Sequence, residues 1–303
     1  MREIRARPLL TDRRALAAAP RRAYRSFLMG RQLKRPKKKK SKLTAKTADR
    51  FWLYENSVYM PEADYEFLQR IFKRARGRKP MLLREDFAGT SQLAALWVKN
   101  DKAAQAWAVD LDPEPLAWGF KRHIEPLGEA ASRVEQREEN VMDVDVGTVD
   151  VVTAFNFSYW IFEERTTMLD YFRRVHAALG DDGMVVVDLM GGPGAQSETE
   201  EEREENGFDY VWEQEPMDAI THHMECHIHF HFADGSKMRK AFSYSWRLWS
   251  LAELRDVMLE AGFASVDAYW EGTDEDGEGD GVFRKKKHAE NEDTWIAYLA
   301  AWK

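Results

Sequence analysis

Residues 85–91 have the sequence EDFAGTS and follow a short apolar run, a spacing typical of a strand that enters a helix through a tight turn. The free N–H groups of such a helix would face any ligand in front of the turn. A second acidic residue, Asp110, ends the next predicted strand, about 20 residues further on, where doubly wound nucleotide-binding folds keep a carboxylate for the ribose hydroxyls. Because a carboxylate can accept hydrogen bonds from both hydroxyls, these features predict a site for a ribose-containing cofactor.

Polar and aromatic residues also follow the apolar run VDVVTAFNF, at residues 156–160. We expect Asn156 and Tyr159 to contact the site, and either could move a proton in catalysis. The alternative is that the aromatic residues there are ordinary packing. The aromatic side chains before the first strand, Trp52, Tyr54 and Tyr59, either close over the cofactor or pack in the core.

Alternate residues of HHMECHIHFHF are histidines, so a strand would place His227, His229 and His231 on one face. Three interpretations stay open: a polar outer face of a half-exposed sheet, a substrate-facing histidine, or a metal site. The polar outer face is the simplest, and we predict no metal site. The single cysteine, Cys226, excludes a disulfide within the chain and favours a reducing, intracellular compartment, with a cytoplasmic location expected.

The order of the predicted elements indicates an α/β fold, because short strands and amphipathic helices alternate from residue 81 to residue 190. After it we predict an antiparallel insertion at about residues 206–248, with a hairpin turn at residues 233–236. The acidic stretch 198–205 is interpreted as a solvated loop. A further helix and two strands follow, and the acidic, glycine-rich loop 272–281 joins these strands.

The ordered series of motifs resembles that of the class I S-adenosylmethionine-dependent methyltransferases. Four segments resemble their first four motifs in turn, namely LLREDFAGTSQLA, AVDLDPEPLAWG, EENVMDV and VDVVTAFNFSYW. The likeness covers residues 81–302. It implies a seven-stranded, mostly parallel Rossmann-like sheet whose last strand is antiparallel to the others. It also implies S-adenosylmethionine as the cofactor and methyl transfer as the reaction.

The resemblance assigns roles to individual residues. Asp110 would bind the ribose with Leu111 beside the adenine, and Asn140 stands where an acidic residue often meets the adenine amine. The fourth strand would end beneath the reacting methyl group, which makes Asn156 and Tyr159 the catalytic candidates. The implied cofactor-binding residues are Glu85, Phe87, Ala88, Gly89, Thr90, Asp110, Leu111, Asn140, Val141 and Asn156.

The first motif departs from the family pattern, since Phe87 and Ser91 replace its first and third glycines. A β-carbon disfavours positive φ, so we expect a less tight turn, with Phe87 packing on the ligand. S-adenosylmethionine has no pyrophosphate, which reduces the need for bare glycines.

Charge divides the chain unequally. Residues 1–50 hold 18 Lys and Arg against 3 Asp and Glu, and the remainder holds 27 against 49. We therefore predict a basic disordered arm at 1–48, a helical cap at 49–80 and a methyltransferase domain at 81–303. The arm would solubilise the chain, make weak contacts with nucleic acid, or serve as a targeting signal.

The leading expectation is methyl transfer to a small molecule with an amine or hydroxyl group. One alternative is methylation of RNA or protein anchored by the basic arm, and another is a non-catalytic cofactor-binding module. The apolar runs are too short to predict a membrane segment, and the sequence predicts no oligomeric state.

Overall fold

Twelve strands and six α-helices are present in the computed structural model, within the residues that it describes, 43–273 and 279–303. The strands are β1 (Leu82–Asp86), β2 (Gln105–Asp110), β3 (Val134–Glu138), β4 (Val149–Ala154), β5 (Leu179–Gly191), β6 (Thr199–Glu204), β7 (Phe208–Gln214), β8 (His223–Phe232), β9 (Lys237–Arg247), β10 (Ser265–Thr273), β11 (Gly279–Lys286) and β12 (Trp295–Trp302). The helices are α1 (Arg50–Glu55), α2 (Pro61–Arg76), α3 (Gln92–Asn100), α4 (Pro113–Gly119), α5 (Arg165–Ala178) and α6 (Leu251–Glu260).

The larger sheet has eight strands in the order β11-β10-β12-β5-β4-β1-β2-β3. Strands β1 to β5 pair in parallel, and β12 is antiparallel to both β5 and β10. The expected mostly parallel sheet with an antiparallel last strand is therefore confirmed. Strand β11 is one more strand than expected and occupies the edge beside β10. Its glycine-rich start conceals it in the sequence, but Phe283 anchors it in the core against Tyr298.

Helices cover both faces of this sheet. The apolar face of α2, formed by Phe67, Leu68, Ile71 and Phe72, is buried on one side together with α3. Helices α5 and α6 pack on the other side, where Tyr171, Phe172 and Met258 belong to a separate cluster of buried apolar residues. The sheet is therefore a layer between helices, and loops, α1 and the insertion cover the edge at which its parallel strands end.

The insertion is an antiparallel sheet with the strand order β6-β7-β8-β9, and its predicted hairpin joins β8 to β9. It begins at Thr199, so the interpretation of residues 198–205 as a solvated loop is corrected. Strand β6 pairs with β7 along its whole length while most of its acidic side chains remain exposed. An edge strand tolerates such charges because only its backbone needs a partner.

The N-terminal region, where a helical cap was expected at 49–80, contains two helices, α1 and α2. Residues 43–48, which were assigned to the arm, lie on the body, because Leu43, Ala45 and Ala48 pack against the core. The Ala45 N–H also donates to Ser236 Oγ at 2.9 Å. The rest of the arm, residues 1–42, lies outside the described residues. In the part of the chain described, no helix has the length and apolarity to cross a membrane.

Candidate active site

The turn between β1 and α3 has left-handed backbone at each of its three glycine-type positions. The φ angles are 56° at Phe87, 50° at Gly89 and 58° at Ser91. The expectation of a less tight turn is therefore wrong. Each non-glycine residue in this region costs about 1–2 kcal/mol, which surrounding contacts must offset. Here the Ala88 N–H donates to Val109 O at 2.9 Å, and Gln136 Nε2 donates to Ser91 Oγ at 2.9 Å.

Helix α4 packs closely against the other side of the same turn. A β-carbon at Gly119 would lie 1.9 Å from the carbonyl oxygen of Thr90, so only glycine fits this position. Helix α4 begins at Pro113, and the Asp112 side chain accepts the Glu114 N–H at 2.9 Å. The turn is consequently fixed between two helices before any ligand arrives.

Asp110 connects the two loops at the ends of β1 and β2. Its Oδ2 accepts the Gly89 N–H at 2.7 Å, and its Oδ1 accepts the Asp112 N–H at 2.9 Å. Burial raises the pKa of this carboxyl, although the backbone donors oppose the shift. Each oxygen keeps a lone pair for a further donor, which suits two adjacent hydroxyl groups.

Glu85 lies on the other side of the turn. The Tyr59 hydroxyl donates to Oε1 at 2.7 Å, and the Ala94 N–H donates to Oε2 at 2.9 Å. Burial raises the pKa of Glu85 to about 8 despite these two donors. A buried carboxyl of this kind would favour a ligand that brings a positive charge.

The end of β4 contains a second strained turn. Asn156 and Phe157 have φ angles of 57° and 56°, and the Asp188 carboxylate accepts both of their N–H groups, at 2.9 and 3.0 Å. Burial raises the pKa of Asp188 to about 7. Sequence reasoning missed this residue, although an acidic residue in the apolar strand MVVVDLM was a usable signal.

The structure separates the predicted site residues into two groups. Tyr159 is fully buried, and its hydroxyl donates to the Asp188 carbonyl oxygen at 2.8 Å, so it supports the turn from the core. Asn140 Oδ1 accepts the Met142 N–H, and the Val141 carbonyl accepts from Arg84. Tyr159, Leu111, Asn140 and Val141 do not line the cavity described next, whereas Glu85, Phe87, Ala88, Gly89, Thr90, Asp110 and Asn156 do.

The lining residues enclose a cavity of about 330 Å³ at the carboxyl ends of β1, β2 and β4. Its roof is aromatic. Tyr54 contributes from α1, and Phe242, Tyr244 and Trp246 contribute from β9. The sequence AFSYSW places these three aromatic side chains at alternate positions, a signal that could have identified the roof beforehand.

A smaller cavity of about 30 Å³ adjoins the first and shares Tyr54, Asn156, Tyr244 and Trp246 with it. Trp212 lines only the small one. Three buried polar atoms on these walls have no hydrogen-bond partner among the described residues, namely Thr153 Oγ1, Trp212 Nε1 and Trp246 Nε1. Buried polar groups are rarely left unpaired, which indicates that a ligand or water completes them.

Helix α1 is fastened over the cavity by polar contacts. Glu55 Oε1 accepts from Thr90 Oγ1 at 2.5 Å and lies 2.6 Å from His123 Nε2. Trp118 Nε1 donates to Asp49 at 2.7 Å. We call the Glu55, Thr90 and His123 cluster the cap latch. Of the predicted cap aromatics, Tyr54 and Tyr59 line the cavity, while Trp52 packs on Phe208 outside it.

The histidines of β8 face away from both cavities, because Ile228, on the opposite face of the strand, lines the small one. His227, His229 and His231 each pair with a glutamate, namely Glu215 just after β7, Glu213 of β7 and Glu202 of β6. His229 Nε2 lies 2.7 Å from Glu213 Oε2, and His227 Nε2 lies 3.1 Å from Glu215 Oε1. No group of His, Cys, Asp or Glu within residues 43–273 and 279–303 is arranged to hold a metal ion. The geometry favours the polar-face interpretation, although His227 and His229 are buried.

No family model matches the chain, and no curated protein matches it in sequence. Solved structures do match it. One is an S-adenosylmethionine-dependent methyltransferase from Clostridium acetobutylicum ATCC 824, with 13% identity, a TM-score of 0.59, and coverage of 83% of this chain and 96% of that chain. Another is the CcbJ methyltransferase from Streptomyces caelestis, with 15% identity, a TM-score of 0.57, and coverage of 79% and 89%.

A third is CalS10, an amino pentose methyltransferase from Micromonospora echinaspora whose structure has S-adenosylmethionine bound. It has 14% identity, a TM-score of 0.55, and coverage of 80% of this chain and 91% of that chain. Together with the strand order, these likenesses identify the architecture. The chain has the fold of the class I S-adenosylmethionine-dependent methyltransferases.

Proposed function

We propose that the chain is an S-adenosylmethionine-dependent methyltransferase that acts on a small, amine-bearing acceptor. The observation that carries the proposal is the pair of carboxyls, Glu85 and Asp110, on the two sides of a strained turn at the ends of β1 and β2. Asp110 would accept the ribose hydroxyls, and Glu85 would face the ammonium group of the cofactor. Thr153 Oγ1 offers one unpaired polar atom on the same wall.

Bound S-adenosylmethionine would supply an electrophilic methyl group. The chain would then orient the acceptor and exclude water, which contribute most of the rate when the leaving group is already activated. The aromatic roof of Tyr54, Tyr244 and Trp246 would exclude water above Asn156. A small acceptor fits, because α1 and β9 close the cavity from above.

The residues around the small cavity favour nitrogen over oxygen as the acceptor atom. They include no carboxyl, histidine or lysine. Tyr54 and Tyr244 do not replace a base, since burial raises the pKa of both hydroxyls above their usual range. A neutral amine already has a nucleophilic lone pair, whereas an aliphatic hydroxyl needs a base to remove its proton.

The test begins with the cofactor. Calorimetry should show saturable binding of S-adenosylmethionine, and Asp110→Asn should weaken it by about 1–3 kcal/mol through lost charge-assisted hydrogen bonds. Glu138→Gln is the matched control, because Glu138 is exposed at the end of neighbouring β3 and lies outside the cavity. Equal losses in both variants, or no binding by the unaltered chain, would contradict the proposed cofactor site.

Release of S-adenosylhomocysteine would then be followed with matched panels of small amines and alcohols. Turnover of at least one amine and of no alcohol is the expected result. If alcohols alone are methylated, the nitrogen assignment fails while the methyltransferase assignment stands.

A further inference from the structure

A groove of about 790 Å³ lies between the C-terminal half of α2 and the strands β10, β11 and β12. Trp302 lines it and pairs with Met184 near the start of the buried part of β5. The groove is therefore at the amino ends of the parallel strands, and the cofactor cavity is at their carboxyl ends. Methyl transfer as proposed above makes no use of it.

The groove is strongly basic. Six cationic side chains line it against one acidic side chain, Asp267, and they are Arg70, Arg74, Arg76, Arg284, Lys285 and Lys303. Two of the six have carboxylate partners. Lys285 Nζ lies 2.6 Å from Asp267 Oδ1, and Arg284 Nη1 lies 2.6 Å from Asp280 Oδ2.

The other four cations have no side-chain carboxylate partner within the described ranges. Arg70 donates to the Phe283 carbonyl, Arg76 donates to backbone oxygens of Asp182 and Lys303, and Lys303 Nζ donates to the Leu179 carbonyl. Exposed Arg74 has no hydrogen-bond or ion-pair partner there. This concentration is local, because residues 51–303 hold 27 basic and 49 acidic residues.

Arg70 and Arg74 are four residues apart on α2, so their side chains are neighbours on one face of the helix. Like charges at this spacing destabilise a helix, and a local conflict of this kind is expected where a site serves binding. Guanidinium groups match the geometry of phosphate oxygens and can bind them through two parallel hydrogen bonds. Field lines are also concentrated in a concave surface lined by one sign of charge.

We propose that this groove binds a compact ligand with two or more phosphate groups. The volume falls within the range of about 300–1,000 Å³ typical of small-molecule sites. A nucleic-acid strand would also offer phosphates, but it would extend beyond the groove, and residues 51–303 as a whole hold 27 basic against 49 acidic residues. The charge distribution therefore favours the compact ligand.

The experiment uses the full chain and two probes, inorganic triphosphate by calorimetry and a fluorescent 20-nucleotide oligothymidylate by anisotropy. The variant Arg70→Gln/Arg74→Gln should weaken triphosphate binding by about tenfold or more, as expected for lost charge-assisted hydrogen bonds. Arg173→Gln/Arg255→Gln removes the same charge from exposed positions on α5 and α6, and it should change the affinity less than twofold. Both variants should bind S-adenosylmethionine like the unaltered chain.

Other outcomes overturn the proposal. Without saturable triphosphate binding, or with equal losses in the two double variants, the groove has no phosphate site. If the oligonucleotide binds more tightly than triphosphate and only Arg70→Gln/Arg74→Gln loses it, nucleic acid is the occupant. The loss of the Arg70 donor to the Phe283 carbonyl should lower the melting temperature of Arg70→Gln/Arg74→Gln only slightly, and retained binding of S-adenosylmethionine shows that this variant is folded.

Discussion

Glu85 holds a proton near neutral pH in the ligand-free protein, because burial raises its pKa to about 8. A ligand ammonium placed beside this carboxyl would lower the pKa and expel the proton. We therefore predict that S-adenosylmethionine binding at pH 7 releases a proton. Calorimetry in buffers with different ionisation enthalpies measures this directly, as a binding enthalpy that changes with the buffer. Glu85→Gln should abolish the dependence, and an enthalpy independent of buffer in the unaltered chain would show that Glu85 does not meet the charge.

The indole groups of Trp212 and Trp246 offer a second test at this scale. Both have unpaired Nε1 atoms and line the small cavity, whereas Trp160 has an unpaired, buried Nε1 elsewhere. We predict that Trp212→Phe and Trp246→Phe raise KM for an acceptor that carries an oxygen lone pair, by about tenfold for a lost hydrogen bond. Trp160→Phe removes the same group from the core and should leave KM unchanged. Equal KM values in all three variants would mean that the acceptor does not meet the indoles.

The sequence predicted which residues line the cofactor cavity better than it predicted their backbone conformation. Glu85, Gly89, Thr90 and Asp110 follow from the motif and the strand ends, because those positions are fixed by local chain geometry. The left-handed backbone at Phe87 was not predictable, since residue preference alone argues against it. Long-range contacts fix that conformation, and a single sequence does not show them.

Among the elements, α1 lies over the cavity and is held there by the cap latch. Glu55 is the only member that contacts both Thr90 of the cofactor turn and His123. We predict that Glu55→Gln raises the dissociation rate of S-adenosylmethionine by about tenfold, which corresponds to about 1.4 kcal/mol, the lower range for a hydrogen bond to a charged group. Stopped-flow tryptophan fluorescence would measure the rate. Glu66→Gln, an exposed change on α2, should leave it unaltered, and a rate unchanged in both would show that α1 does not gate release.

Element prediction succeeded where a strand or helix has its own apolar pattern. The apolar strands of the parallel sheet and the buried face of α2 are of this kind. It failed at β6 and β11, whose sequences are acidic or glycine-rich. Both are edge strands held by pairing with a neighbour, and a pairing partner distant in sequence leaves no local signal.

At the scale of the whole molecule, acidic and basic side chains line cavities at opposite edges of the central sheet. The cofactor cavity at the carboxyl edge contains Glu85, Asp110 and Asp112, and the basic groove is at the amino edge. Opposite ligands are therefore favoured at the two sites, a cation-bearing cofactor at one and a phosphate compound at the other. Because the two sites lie at opposite edges of the sheet and share no lining residue, a ligand in the groove need not compete with the cofactor.

Three buried carboxyls connect the active-site region to the stability of the whole fold. Burial raises the pKa of Asp64 and of Asp188 to about 7 and that of Glu85 to about 8. In the unfolded chain these groups ionise near pH 4. Between pH 5 and 7 the folded protein therefore holds more protons than the unfolded one, and its stability falls as pH rises, by up to about 1.4 kcal/mol per pH unit for each group.

Other groups oppose this trend only in part. The exposed carboxyls with lowered pKa values, such as Asp182 and Asp234, have already ionised below pH 5. Burial lowers the pKa of His176 and His229, so these imidazoles lose their protons at lower pH in the folded state than in the unfolded state. Their contribution to stability therefore rises as pH increases through this range. Two histidines with lowered pKa values are outnumbered by three buried carboxyls with raised pKa values, so the net change from pH 5 to pH 7 should be a loss.

We accordingly predict that the free energy of unfolding, measured with urea at several pH values, decreases from pH 5 to pH 7. Asp64→Asn provides the control, because its side-chain oxygen can still accept the Tyr298 hydroxyl that now donates to Asp64 Oδ1 at 2.6 Å. Asp64→Asn removes one titrating group, so the slope of the free energy of unfolding against pH should become less negative by up to the contribution of one proton. The fold should be retained. If stability instead rises across this range, or if Asp64→Asn leaves the slope unchanged, these carboxyls are ionised in the folded protein. The proton release predicted for Glu85 would then lose its basis as well, since both depend on burial keeping the carboxyl neutral.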